Sequence, residues 1–348
     1  MSNVKLITMM VLMIALITGS ALAGDMEWKF YGKLHSSINM MNDSEDSKLS
    51  MSSNTSRFGF KGAKVLNDNL NFIWQFESKL DMVEKGGETL ANRNSFVGLK
   101  GNWGTALAGI HDTPYKTLGR KTTFFFDSVG DNRQIMGHVD DRTDDYIMFI
   151  SPNFDAFSFR VGYEFDQNAA GAPDAANSFA GMATYAKDEF LVGFAYETLT
   201  MGNFAVVDPE SEKRMRFAGK YDAEQFALAA TYQMLTDNGG VLDANAVTMG
   251  GEALYKATPV VNIKAGYYII TPDEDTFGAD VGANLVTFGA DYNYVKNVQF
   301  YVQYAGMMNA DNGYWGMGDY NGFGDPVDAA ALPGETLSGF SIGTNIKF

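Results

Sequence analysis

The residues of this 348-residue chain that could do chemistry are charged rather than nucleophilic. Cysteine is absent, which excludes thiolate catalysis, disulfides and zinc–thiolate sites. The histidines are His35, His111 and His138, and neither an HExxH pair nor a serine elbow accompanies them. The run Asp140-Asp141-Arg142-Thr143-Asp144-Asp145 lacks the spacing of a calcium-binding loop and reads as a solvated charge run. No phosphate-cradling glycine loop or redox motif occurs, so no enzyme activity, metal or cofactor is expected. What stands out is 113–142, TPYKTLGRKTTFFFDSVGDNRQIMGHVDDR, which sets Asp127 and Asp131 beside Arg120, Lys121 and Arg133 around Phe124-Phe125-Phe126. Apolar anchors mixed with charges of both signs suit a loop that packs on a wall, here through the phenylalanines, and offers its charges to water. Such a loop, facing further charges, sorts solutes by sign and dipole without making bonds.

Charges of this kind need a frame, and the rest of the chain reads as strand after strand. Counting in twos from Trp28 puts Phe30, Gly32, Leu34 and Ile38 on one face and Lys29, Tyr31, Lys33, His35 and Asn39 on the other, which is the period of a strand. The pattern recurs at Phe58 and Phe60 against Arg57 and Lys61; at Phe72, Trp74 and Phe76 against Gln75, Glu77 and Lys79; and at Phe157, Phe159 and Val161 against Ser158 and Arg160. It continues through Phe217, Leu228, Tyr267, Phe288 and Phe300. The segments run about nine to fourteen residues, longer than usual strands of soluble sheets and suited to a tilted membrane crossing. Short connections such as 65–69, 152–155 and 222–224 alternate with long ones such as 42–54, 82–91, 167–177, 200–212 and 308–335, the asymmetry of a membrane barrel. Pairing them predicts about sixteen strands, closed because an open edge in lipid leaves unpaired amides. The expected fold class is all-β: a 16-stranded antiparallel transmembrane β-barrel with 113–142 infolded as a constriction loop.

The bounds agree. Mean hydropathy is −0.14, so no bundle of membrane helices is concealed. The net charge of −16 argues against nucleic acid. Much of that charge falls on the long loops, in Asp43, Glu45, Asp46, Asp273, Glu274, Asp275, Asp319, Asp325 and Asp328. At the start, Lys5, the apolar run Leu6 to Thr18 and Ala21-Leu22-Ala23 form an export signal. Residues 1–23 are expected to be cleaved, leaving 24–348 as the barrel domain.

The final strand, Leu337 to Phe348, alternates and ends on Phe348 itself. Here the chain resembles the Gram-negative outer-membrane porins, whose last strand ends in phenylalanine. Tyr31-Gly32-Lys33-Leu34, Ser56-Arg57-Phe58-Gly59-Phe60-Lys61-Gly62 and Asn92-Arg93-Asn94-Ser95-Phe96-Val97-Gly98-Leu99-Lys100-Gly101 are similar to strand motifs of trimeric general porins. Asp127-Ser128-Val129-Gly130-Asp131 with Ile135-Met136-Gly137 resembles their constriction loop. The resemblance implies a homotrimer in the outer membrane of a Gram-negative bacterium, set in lipid and lipopolysaccharide, passing ions and small hydrophilic solutes by passive diffusion. It implies that the basic wall residues Lys33, Arg57, Arg93 and Arg142 face the loop acids Asp127 and Asp131. Parity independently turns the first three inward, and it turns Lys61, Glu77 and Arg160 inward as lumen-lining residues. Acidic mouth loops and a basic wall pull ion preference in opposite directions, with the balance leaning to cations. The alternatives are a barrel serving chiefly as an adhesin or receptor, and a substrate-specific channel.

Overall fold

A computed structural model describes residues 26–83, 90–137, 139–165, 177–200, 211–318 and 332–348. The leader expected over 1–23, His138, the loop acids Asp319, Asp325 and Asp328, and the parts 84–89, 167–176, 201–210 and 319–331 of the long connections expected over 82–91, 167–177, 200–212 and 308–335 lie outside these residues. Among the described residues the strands are β1 (Met26–Asn42), β2 (Ser47–Ser53 and Arg57–Asn67), β3 (Leu70–Lys79), β4 (Ser95–Gly101), β5 (Gly104–Asp112), β6 (Arg142–Ile150), β7 (Phe157–Glu164) and β8 (Ser178–Lys187). They continue as β9 (Phe190–Thr200), β10 (Ser211–Asp222), β11 (Phe226–Thr236), β12 (Ala246–Lys256), β13 (Val261–Pro272), β14 (Ala283–Val295), β15 (Val298–Asn309) and β16 (Thr336–Lys347). Each pairs antiparallel with the next, and β1 returns to β16, Lys33 opposite Lys347 and Asn42 opposite Ser338. The sheet is therefore a closed barrel of sixteen strands, which leaves no edge to starve in hydrocarbon.

β2 is one strand in two pieces, both paired along the same side of β1: Met40 lies opposite Leu49, and Phe30 opposite Phe60. Between the pieces, Thr55 takes a left-handed φ of 55°. The long connection expected over 42–54 is thus corrected: most of it is strand. Its inward residues Ser50 and Ser52 are small and polar, which in sequence looks like a loop, while Leu49 and Met51 face outward and are 75% and 51% exposed. Strand lengths also spread wider than expected, from 7 residues in β4 to 17 in β1 and 7 plus 11 in the two pieces of β2.

The alternation holds through the barrel. Residues on the outward register, among them Phe30, Val97, Phe157, Phe190, Phe217, Phe288 and Ile342, are exposed, as a lipid-facing band requires. At the short-turn end the aromatics touch one another: Trp28 with Phe60, Trp103 with Phe149, Phe190 with Tyr221, and Tyr221 with Phe226. This is the interfacial girdle of a membrane barrel. Closure is fastened at the same end, where Gly32 N donates to Phe348 O at 2.9 Å, Phe348 N donates to Gly32 O at 3.1 Å, and the Phe348 ring lies 5.5 Å from Phe30. A Cβ on Gly32 would stand 2.4 Å from Phe348 Cζ and 2.9 Å from the carbonyl of Arg57. Gly32→Ala should therefore cost about 1–3 kcal/mol by overpacking, read as a lower folded fraction by heat-modifiable gel migration after refolding from urea.

Candidate functional site: the infolded loop and its wall

Leaving β5, the chain turns into the barrel. Thr113 caps helix α1 (Pro114–Gly119), its side chain accepting from Lys116 N, with proline at the helix start. The helix packs against β8, β9 and β10. From the loop, Tyr115, Leu118, Val129, Ile135, Met136 and Val139 enter one buried cluster with Met182, Ala195, Leu235, Ile270, Leu285 and Met307 of the wall. Each buried apolar side chain of this size is worth about 1.5–3 kcal/mol, so the loop stands on a hydrophobic footing inside the barrel.

Hydrogen bonds fix its register on that footing. Tyr115 Oη donates to Gln233 Oε1 at 2.9 Å, Asn132 Nδ2 to Tyr268 Oη at 3.0 Å, and Ser128 Oγ to Gln303 Oε1 at 2.5 Å. Glu252 accepts from Thr123 Oγ1 at 2.8 Å, from Tyr268 Oη at 2.8 Å, and from the backbone N of Phe124. Arg216 pairs with Asp140 at 2.7 Å, and Arg214 Nη1 donates to Val139 O at 3.0 Å and pairs with Asp141. Asp140 and Asp141 are thus bolts between loop and wall, which corrects their reading as a solvated charge run: two arginines on the inward register of β10 claim them. Removing Glu252 leaves two loop donors and one tyrosine hydroxyl without their acceptor, at about 1–3 kcal/mol each for those that stay buried. Glu252→Ala is therefore expected to speed amide hydrogen exchange at Phe124 and Phe125 by at least about tenfold, with strand amides of β12 unchanged.

The two loop acids are held inside the loop. Asp127 meets Lys33 at 2.8 Å, Arg120 at 3.1 Å and Arg133 at 2.8 Å, and accepts from Thr55 Oγ1 at 2.7 Å. Asp131 meets Arg120 at 3.1 Å and Arg133 at 2.6 Å. Burial pushes both carboxyls up, but Arg120, Lys33 and Arg133 around Asp127, and Arg133 and Arg120 around Asp131, outweigh it and hold both below the ordinary carboxylate range. Of the wall bases named from sequence, Lys33 touches the loop acids. Arg57 and Arg93 converge instead on Glu77, at 3.4 and 2.8 Å, and Arg142 pairs with Asp112 at 2.8 Å while donating to Asn94 Oδ1 at 2.8 Å. Lys61 lies over the Tyr31 ring at 4.8 Å, and Arg160, opposite Ile150, is half-buried on the inward register.

The phenylalanines divide. Phe125 is fully buried beneath Lys264, and Phe124 is half-buried beneath Lys220. Phe126 is 39% exposed with Arg120 over its face at 4.6 Å, so packing against the wall describes Phe125 and not Phe126. Because the loop fastens to β1, to Thr55 at the break in β2 and to β8–β15, the wall across the remaining lumen is the rest of β2–β7, carrying Arg57, Lys61, Glu77, Lys79 and Arg160. Sequence reasoning passed over Arg120 and Arg133 as partners of the loop acids, and over Thr55, Arg214, Arg216 and Glu252 as anchors. The long inward side chains of β10 and β12 were the signal available for the last three.

A family model described as Gram-negative porin matches residues 9–313. The major outer membrane protein P.IA of Neisseria meningitidis serogroup B is 24% identical over 285 residues, 68% of this chain and 72% of the relative. Among solved structures, the anion-selective porin from Comamonas acidovorans superposes with a TM-score of 0.77 at 20% identity, covering 93% of this chain and 100% of the other. The trimer form of OmpT, an outer membrane protein of Vibrio cholerae, superposes with a TM-score of 0.70 at 18% identity, over 93% of this chain and 100% of that one.

Proposed function

The chain belongs to the Gram-negative porin family, and on that premise we propose that its outer-membrane channel, through which ions and small hydrophilic solutes diffuse passively, is constricted between the infolded loop and the β2–β7 wall and prefers anions. Porins are channels rather than enzymes, and the selection is electrostatic. The observation that carries the sign is the fate of the loop acids: the Asp127 and Asp131 side chains are 7% and 0% exposed, whereas Arg57 and Arg120 keep 29% and 24%. Lys121 is exposed on the loop and close enough to Arg160 for the two to repel. Toward the short turns, Lys61, Lys100 and Lys220 continue the inward register, where Asp291 is already paired with Lys264 at 2.9 Å. A basic passage beneath acidic mouth loops reverses the cation preference expected from the loops, because the field acts most strongly where the path is confined.

In this reading Lys33, Asp127 and Asp131 hold the loop, Arg57 and Arg93 around Glu77 form the charged wall, Arg142 braces the mouth against Asp112, and Lys61 and Arg160 line the path. The assembly proposed is a homotrimer, supported by the trimeric form of the Vibrio cholerae neighbour, with its outward band in outer-membrane lipid and its loop end among lipopolysaccharide. A barrel kept only as a surface receptor has no need of inward bases or an infolded loop. Reversal potential in a potassium chloride gradient across a planar bilayer tests the sign: chloride preference with conductance steps in threes is expected, and potassium preference overturns it.

A further inference from the structure

At the loop end of β6–β9, apart from the passage, lies a pocket of about 400 Å³ lined by Asp141, Thr143, Asp144, Glu164, Ser178 and Glu197, among others. Two of its groups are deeply buried and poorly answered. Ser178 and Glu197 are 2% and 1% exposed; Ser178 faces Glu164 and Glu197 faces Thr113, yet neither Ser178 Oγ nor Glu197 Oε1 makes a hydrogen bond of ordinary geometry. Glu197 Oε2 takes Arg214 at 3.0 Å, but that one guanidinium also serves Glu212 at 2.5 Å and Asp141. Asp144 and Glu164 add two more carboxylates. Arg142, on the pocket's rim, is committed to Asp112 at 2.8 Å. The site therefore holds surplus negative charge and a buried acceptor without a well-placed donor, a combination that costs free energy until one arrives.

We propose that this pocket binds the primary ammonium group of a small organic cation. An ammonium carries three N–H donors and no acceptor, which suits the acceptors Glu197 Oε1, Ser178 Oγ and the Glu164 carboxylate that line the pocket. A metal ion suits the site less well: among the described residues no three acidic or histidine side chains converge closely enough to hold one. The volume lies in the range that accommodates an organic molecule, about 300–1,000 Å³. Lying on the wall above a basic passage, the site retains a cation at the mouth. It is independent of the sign of the channel's own preference.

The test is calorimetric titration of 1,4-diaminobutane into the detergent-solubilised protein in low-salt buffer. Saturable binding at one molecule per chain is expected, weakened about tenfold by Glu164→Gln and by Glu197→Gln, since each removes a charge-assisted hydrogen bond. Isosteric 1,4-butanediol should not bind. Glu197 also holds Arg214, so if Glu197→Gln does not fold, Glu164→Gln decides, with Ser178→Ala as a second, smaller loss. No saturable binding to the unaltered protein, equal affinity for the diol, an affinity unmoved by Glu164→Gln, or equimolar displacement by magnesium chloride overturns the proposal.

Discussion

Asp127→Ala is expected to raise single-channel conductance and current noise while leaving the barrel closed. The Asp127 carboxylate joins Lys33 of β1, Thr55 at the break in β2, and the loop's own Arg120 and Arg133. Deleting it leaves Lys33, with 7% side-chain exposure, without a carboxylate and Arg120 and Arg133 sharing Asp131 alone, and breaking a buried ionic network costs about 3–5 kcal/mol. No strand hydrogen bond passes through this side chain, so the loss falls on 120–133, freeing that end to swing into the passage or away from it. Asp127→Asn, which keeps an acceptor for Thr55 but cancels the charge, should fall between. Single-channel recording measures the first effect and thermal unfolding by gel shift the second; quiet, unchanged currents in Asp127→Ala would show that the hydrophobic footing holds the loop without it. The pH dependence has a definite sign. Carboxyls held below their ordinary range contribute anchorage that is fully present above the unfolded value of about 3.9 and is lost only as pH falls through the lower folded values. The anchorage owed to the Asp127 and Asp131 carboxyls should therefore be unchanged from about pH 8 to pH 5, and a conductance step within that window would mean that a group other than these two controls the loop.

The frame was legible because lipid enforces a rule residue by residue. Phe217 out, Arg216 in, Tyr232 out, Gln233 in: each alternation follows from hydrocarbon on one face, and the structure keeps those registers. The inside obeys no comparably simple rule. Met182, Leu235, Ile270, Leu285 and Met307 are apolar on the inward register, a departure from alternation that marks a wall something must cover. Read in that light, they locate the loop's footing on β8–β15 before any coordinate is known. Charge pairing was harder to see, since Lys33, Arg57 and Arg93 share a sign but not a partner: Lys33 reaches the loop, while Arg57 and Arg93, the latter ahead of β4 and so outside its alternation, are captured by Glu77. Parity tells which way a side chain points and says nothing of which opposite charge lies nearest. The break at Thr55 was hidden for a related reason, because small polar residues on an inward face and in a loop have the same composition.

Arg57→Glu is expected to shift the chloride-to-potassium permeability ratio toward potassium about fivefold at 0.1 M salt. A unit charge about 8 Å from a passing ion is worth about 0.5 kcal/mol in water, roughly halved by screening at this ionic strength. Inversion changes the wall by two units, and the ratio compares ions of opposite sign, so the difference reaches about 1 kcal/mol, or about fivefold. Arg57 is suited to the test because it is the looser and more exposed partner of Glu77, at 3.4 Å against 2.8 Å for Arg93; Arg93 remains to neutralise Glu77, and the fold stands. Arg57→Gln should give about half the shift in free energy, since one unit is lost and none is added. Raising the salt to 1 M should erase most of either change, as the screening length falls to about 3 Å. Lys48→Glu supplies the control, because Lys48 is a surface residue 53% exposed beside Asp43 at the mouth, where the same two-unit change acts across open water. If Lys48→Glu shifts the ratio as far as Arg57→Glu, or if neither moves it, selection lies in the mouth loops and not in the wall facing the infolded segment.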